Sequence, residues 1–131
     1  AQCDHFTALR HLDLRATNLS DRGVRALLAA PHMAGLRELK LANSAFLGDG
    51  VAFALAQAEH LQNLEELDLW GVPMSDKALM ALAHAPHLAS LRRISLPSKS
   101  MTESLLRAFE GSPYLRPEAY ALLRARYRAQ R

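Results

Sequence analysis

The chain has 131 residues, half of them apolar but only 6% aromatic, and a formal net charge of +3. Leu and Ala supply 48 residues, so the core is expected to be aliphatic, and one cysteine excludes an internal disulfide and fits a reducing, cytoplasmic setting. No run approaches ~18 uninterrupted apolar residues, so no membrane span is expected, and no secretory signal is visible at the start.

The first residues, Cys3-Asp4-His5-Phe6-Thr7-Ala8-Leu9, align with Ala85-Pro86-His87-Leu88-Ala89-Ser90-Leu91. Residues 1–8 therefore read as the tail of a partial repeat. The expectation is a fragment of a longer solenoid, or one lacking its N-terminal cap, with an apolar edge open to self-association. The first full unit opens with Leu9-Arg10-His11-Leu12-Asp13-Leu14, and similar hexads start at Leu36, Leu64 and Leu91. The period is about 27 residues, longer by a single residue in the second unit, and such a period means stacked units. Each unit buries its apolar face against its neighbours.

Within each unit, alternation predicts a short strand with Leu12 and Leu14 facing inward and His11, Asp13 and Arg15 outward. A second apolar residue follows the strand at Leu19, Phe46, Met74 and Met101. Helix starts follow at Ser20-Asp21, Ser75-Asp76 and Thr102-Glu103, with Gly48-Asp49-Gly50 in the second unit. Apolar spacings of three and four predict helices through Val24, Leu27 and Leu28, through Val51, Ala54 and Leu55, and through Leu79, Leu82 and Ala83. Pro31, Pro86 and Pro113 stop the helices, with Glu59 and Asp4 at the same position. Apolar anchors follow at Met33, Leu61, Leu88 and Leu115. The additional residue of the second unit is expected to lengthen its helix near Gln57.

The strand pattern fails after the fourth unit. Pro117-Glu118 opens a helical run with Ala119, Leu122, Leu123 and Tyr127 at helical spacing, and Arg124, Arg126, Arg128 and Arg131 crowd its end. Residues 1–106 carry a net charge of −1 and residues 107–131 one of +4, so the basicity sits in the tail. The expected division is repeats over 1–116 and a capping helix with a basic tail over 117–131.

Four in-phase copies of Leu-x-x-Leu-x-Leu, a further apolar residue and a capped helix resemble a leucine-rich repeat, over about residues 3 to 115. Unit length and helical return are similar to the ribonuclease-inhibitor-like and cysteine-containing subclasses. Leu19-Ser20-Asp21-Arg22-Gly23-Val24 followed by Pro31-His32-Met33 is close to the latter. The sequence departs from that pattern where the usual Asn or Cys after the strand is Thr17, Ser44, Val72 or Lys99. The Cys before the helix-ending Pro survives only as Cys3, and no F-box segment is present. The resemblance implies an α/β solenoid: a right-handed horseshoe with parallel strands on the concave face and helices on the convex face. Members mostly bind proteins, although fold alone does not determine function.

Outward strand residues form three expected columns: His11, Glu38, Glu66 and Arg93; Asp13, Lys40, Asp68 and Ser95; Arg15, Ala42, Trp70 and Pro97. Trp70 is the only tryptophan. Its readings are the hot-spot anchor of a protein partner, or an amphipathic ring lying on Ala42 and Pro97. Arg15, His11, Glu38, Lys40, Glu66, Asp68 and Arg93 either set charge preference for that partner or neutralise one another laterally. Glu65, Glu66 and Asp68 form an acidic cluster, but a ladder of parallel strands provides no evident catalytic pocket, so no enzyme activity is expected.

His5, His32, His60 and His87 share one repeat position, with Tyr114 in the fifth place. They suit free carbonyls at helix ends better than tetrahedral zinc geometry, so no metal or cofactor is expected. The alternative function is nucleic-acid or acidic-surface binding by the C-terminal arginines, with Tyr120 and Tyr127 as stacking aromatics. A purely structural spacer is the third reading.

Overall fold

The computed structural model describes residues 9–16, 18–44, 46–96 and 103–129, apart from the side chains of His32, Leu122, Leu123 and Arg126. The expectations on Cys3, Asp4, His5, Phe6, Thr17, Pro97, Lys99, Met101, Thr102 and Arg131 lie outside the described residues. Four three-residue strands, β1 (His11–Asp13), β2 (Glu38–Lys40), β3 (Glu66–Asp68) and β4 (Arg93–Ser95), form one parallel sheet in sequence order. The pairing joins His11 to Glu38, Glu38 to Glu66 and Glu66 to Arg93. This is the register that the spacing of the hexads demands.

The middle residue of each strand points to the core: Leu39, Leu67 and Ile94 are fully buried, whereas Leu12 is partly buried. Among the described residues, nothing pairs with the outer edge of β1. After each of the first three strands the backbone passes through a left-handed residue at one repeat position: Ala16 (φ 55°), Asn43 (φ 61°) and Gly71 (φ 79°).

Helices α1 (Asp21–Leu28), α2 (Asp49–Gln57), α3 (Asp76–Ala83) and α4 (Glu103–Glu110) return the chain behind the sheet. Ser20 and Ser75 cap α1 and α3, their hydroxyls accepting from the N–H groups of Gly23 and Ala78. The first-turn acids do more than offset the helix dipole. The Asp21 carboxylate accepts from Gly48 N–H at 2.7 Å, and Asp49 accepts from Ser75 N–H at 2.7 Å and from its hydroxyl at 2.8 Å. Each acid thus fastens its own helix to the cap of the next unit.

The additional residue of the second unit lies upstream of the position expected. Asp49 follows Asp21 at a separation greater by one than that of Glu38 from His11, so the insertion falls between β2 and α2. Phe46, aligned with Leu19 and Met74 in the sequence, is 65% exposed, and Leu47 fills the core at that position at 2%. Packing selects the branched aliphatic that matches Leu19 and Met74, and the longer loop expels the ring. α2 does reach Gln57, slightly beyond the length of α1 and α3. Glu59 nevertheless follows Asp49 at the same separation at which Pro31 follows Asp21, so nothing is inserted within that stretch.

The last helix, α5 (Pro117–Ala129), packs against β4 and α4. Glu118 stands one repeat period after Leu91, so α5 begins where a fifth strand would have started. Ala119 and Tyr120 are buried, and Tyr127 is partly buried against the core. Arg124 bonds Glu110 of α4 at 2.6 Å and lies 5.3 Å from the centre of the Tyr120 ring. A cation over an aromatic face, paired with a carboxylate, holds the two helices together.

Candidate functional site

The strand face gathers the outward side chains that the alternation predicts, and divides them into two electrostatic groups. In the first, every charge is met within the protein. Arg15 grips Asp13 through two bonds, Nε to Oδ1 at 2.9 Å and Nη2 to Oδ2 at 2.7 Å. Glu38 takes Lys40 Nζ at 3.0 Å on one oxygen and His11 Nδ1 at 3.1 Å on the other.

These contacts shift the carboxyls. The hydrogen bond from Arg15 holds Asp13 below its ordinary 3.8, and the Asp13 carboxylate raises Arg15 in turn. Lys40 foremost, with His11, holds Glu38 below 4.5. In place of the expected lateral alternation of Asp13, Lys40 and Asp68, Asp13 pairs with Arg15 and Glu38 with Lys40 along their own strands, and His11 pairs with Glu38 across them. Residues i and i+2 point to the same face about 6.6 Å apart, within reach of long side chains such as those of Arg15 and Lys40.

The second group is open. Glu66, Asp68 and Arg93 have no ion-pair partner within 4 Å among the described residues. They line a groove of about 930 Å³ over β2 to β4 that also includes Lys40, Arg92 and Ser95. Glu118 and Ala121 of α5 form one of its walls. These two residues are absent from the expected binding set, because helical spacing says nothing of the fifth-strand position that α5 takes.

Trp70 stands beside the groove, 43% exposed. Its N–H donates to Asp68 Oδ1 at 3.1 Å, and its carbonyl accepts from Asn43 N–H at 2.9 Å. Gly71 follows in a left-handed turn where a Cβ would stand 2.6 Å from Asn43 Oδ1. The backbone beneath the indole is thus fastened on both sides. Ala42, in the same column, is covered, with 4% exposed.

His60 and His87 serve the stack. His60 Nε2–H donates to the Leu28 carbonyl at 2.7 Å, and His87 Nε2–H to the Leu55 carbonyl at 2.8 Å. Each reaches the last turn of the preceding helix, where carbonyls lack helical partners. In the fourth unit the buried Ser112 hydroxyl does this for Ala83 O, and Tyr114 is exposed. Among the described residues there is no cluster of three metal-ligating side chains.

The tail is less available than expected. Tyr120 is only 6% exposed, so it is no stacking platform, and Arg124 is tied to Glu110. The packing of α5 on α4 places Tyr120 in the core and Arg124 against Glu110. Among the described residues no helix is long and apolar enough to cross a membrane.

A family model described as Leucine Rich repeat matches residues 7–28. The tropomodulin C-terminal domain of Caenorhabditis elegans has a similar structure, with a TM-score of 0.70 at 19% identity over 98% of this chain and 86% of that one. The chain has the leucine-rich-repeat fold. Its α/β solenoid belongs to a class of folds that generally mediates protein–protein contact and is typically a non-enzymatic scaffold. Among curated proteins, none matches this leucine-rich-repeat sequence.

Proposed function

We propose that this leucine-rich-repeat protein binds a protein partner on its strand face, with Trp70 as the apolar anchor. Glu66, Asp68 and Arg93 select the partner by charge, and Arg15, His11, Glu38 and Lys40 form the paired, less selective rim. The α5 helix is both the cap of the stack and a wall of the site. The observation that carries this reading is the half-exposed Trp70, whose backbone N–H is bonded to Asp68. An aromatic side chain on a fixed backbone, beside unpaired charges, has only its own two torsions to order on binding.

The test is capture from the native source's lysate with wild type, Trp70→Ala, Asp68→Lys and a helix-side control, Phe53→Ala, all shown to be folded by circular dichroism. A partner lost by the first two variants and retained by the control supports the reading. A partner held equally by all four moves the site away from this face. The partial burial of Leu9, Leu12 and Leu14 favours a second reading, self-association through β1. Sedimentation across a range of concentrations tests it directly.

A further inference from the structure

A second charged surface lies along the N-terminal ends of the strands, apart from the groove floor. Arg10, Arg37, Glu65 and Arg92 occupy one repeat position and are joined rung to rung by the backbone. Arg37 N–H donates to Arg10 O at 2.8 Å, Glu65 N–H to Arg37 O at 2.7 Å, and Arg92 N–H to Glu65 O at 2.7 Å. Arg116, from the link into α5, joins Arg37 and Arg92 around a small cleft that also holds Asn63, Glu65 and Ser90.

One carboxylate serves two guanidinium groups here: Glu65 lies 3.7 Å from both Arg37 and Arg92. Those distances exceed the ~2.8 Å of a charge-assisted hydrogen bond. Glu65 therefore offsets charge without engaging the donor forks. Arg10 has no ion-pair partner among the described residues, and Arg116 meets Glu118 only at 3.7 Å.

We propose that this arginine rim docks an acidic, extended peptide segment of a protein partner. Spacing supports it. Arg10 and Arg92 are three strands apart, ~14 Å, and residues i and i+4 of an extended peptide are ~13 Å apart on one face. Among the described residues no aromatic side chain lines the cleft, so a single-stranded nucleic acid would find phosphate contacts but no stacking platform there. Arg92 also lines the groove on the strand face, so one chain can cross from groove to rim. Glu65 then acts as an internal competitor for the arginines that the peptide's carboxylates would take.

The test is fluorescence anisotropy at low salt, with a labelled peptide alternating Glu and Ala and an oligothymidylate of equal charge as the comparison probe. Wild type should bind the peptide in preference to the oligonucleotide. Arg37→Gln/Arg92→Gln should weaken peptide binding by about fivefold or more, through lost charge pairing. Glu65→Gln should tighten it by about twofold or more for the same reason. A control double variant with equal charge loss elsewhere, Arg22→Gln/Arg128→Gln, should change it by less than about twofold.

Any of four results overturns the proposal: no peptide binding, equal weakening by the control, no tightening with Glu65→Gln, or an oligonucleotide bound at least as tightly. Trp70→Ala is not expected to change this readout, so failure here is separable from failure of the strand-face reading.

Discussion

Asp49 and Ser75, 26 residues apart, are joined by two hydrogen bonds: the Asp49 carboxylate accepts both the backbone N–H and the hydroxyl of Ser75. The same acid opens α2, and the same serine caps α3. In a stack whose stability is a sum of unit and interface contributions, a bond of this kind acts on the interface. Asp49→Ala should destabilise the protein by about 1–2 kcal/mol, since it removes a charged acceptor from two donors. Asp49→Asn should recover part of that loss. Denaturant melts of the two variants decide it; equal stability of Asp49→Ala and wild type would refute the brace.

Gly50 has a related role. A Cβ there would meet Asp21 Oδ2 at 2.7 Å, so Gly50→Ala must push the carboxylate off Gly48 N–H. It should destabilise by about 1 kcal/mol despite alanine's better helix propensity. In an Asp21→Ala background the same substitution should be neutral or stabilising, and a double-mutant cycle measures the difference.

Backbone conformation makes an opposed pair of predictions at one repeat position. Ala16 holds φ 55° with a Cβ present, whereas Gly71 supplies φ 79° without one. Ala16→Gly should stabilise by about 0.5–1 kcal/mol, because a left-handed alanine is strained by about 1–2 kcal/mol. Gly71→Ala should destabilise by a similar amount, with the close Asn43 Oδ1 adding to it. Thermal melts that move in the same direction for both would sink the argument.

His87 donates to the Leu55 carbonyl. Its replacement by Ala should reduce stability by about 1 kcal/mol, as for a typical intramolecular hydrogen bond at a partly buried site. Hydrogen exchange should quicken in the adjoining turns of α2 and α3 before it does in α5. Uniform quickening along the chain would show that the bond acts globally and not at this interface.

The pH dependence has a definite sign. Asp13 and Glu38 have folded pKa values below their ordinary 3.8 and 4.5. Their contribution is complete above the ordinary values and disappears as pH falls through the lowered ones. Stability should therefore be flat with respect to these groups near neutrality and decline only in acid. Carbon-13 titration should find both midpoints below their ordinary values, and Arg15→Gln should return Asp13 toward 3.8.

The sequence by itself determined the stacking period, the inward and outward strand residues, and the serine caps of α1 and α3. Those are local matters, written in strand alternation, a near-constant repeat length and the chemistry of short polar side chains. Outward orientation of Trp70, Glu66, Asp68 and Arg93 follows from the same alternation. Only the tertiary structure decided which charges remain open, because an ion pair depends on distance and not on sign pattern.

Tertiary structure also chose Leu47 over Phe46 for the core, buried Tyr120 there, and placed α5 where a fifth strand would begin. It turned Asp21, Asp49, His60 and His87 into bonds between units. Each of these depends on residues far apart in the chain meeting at hydrogen-bond or packing distance. Periodicity records the face on which a side chain lies, but directional contact and volume determine what it meets there.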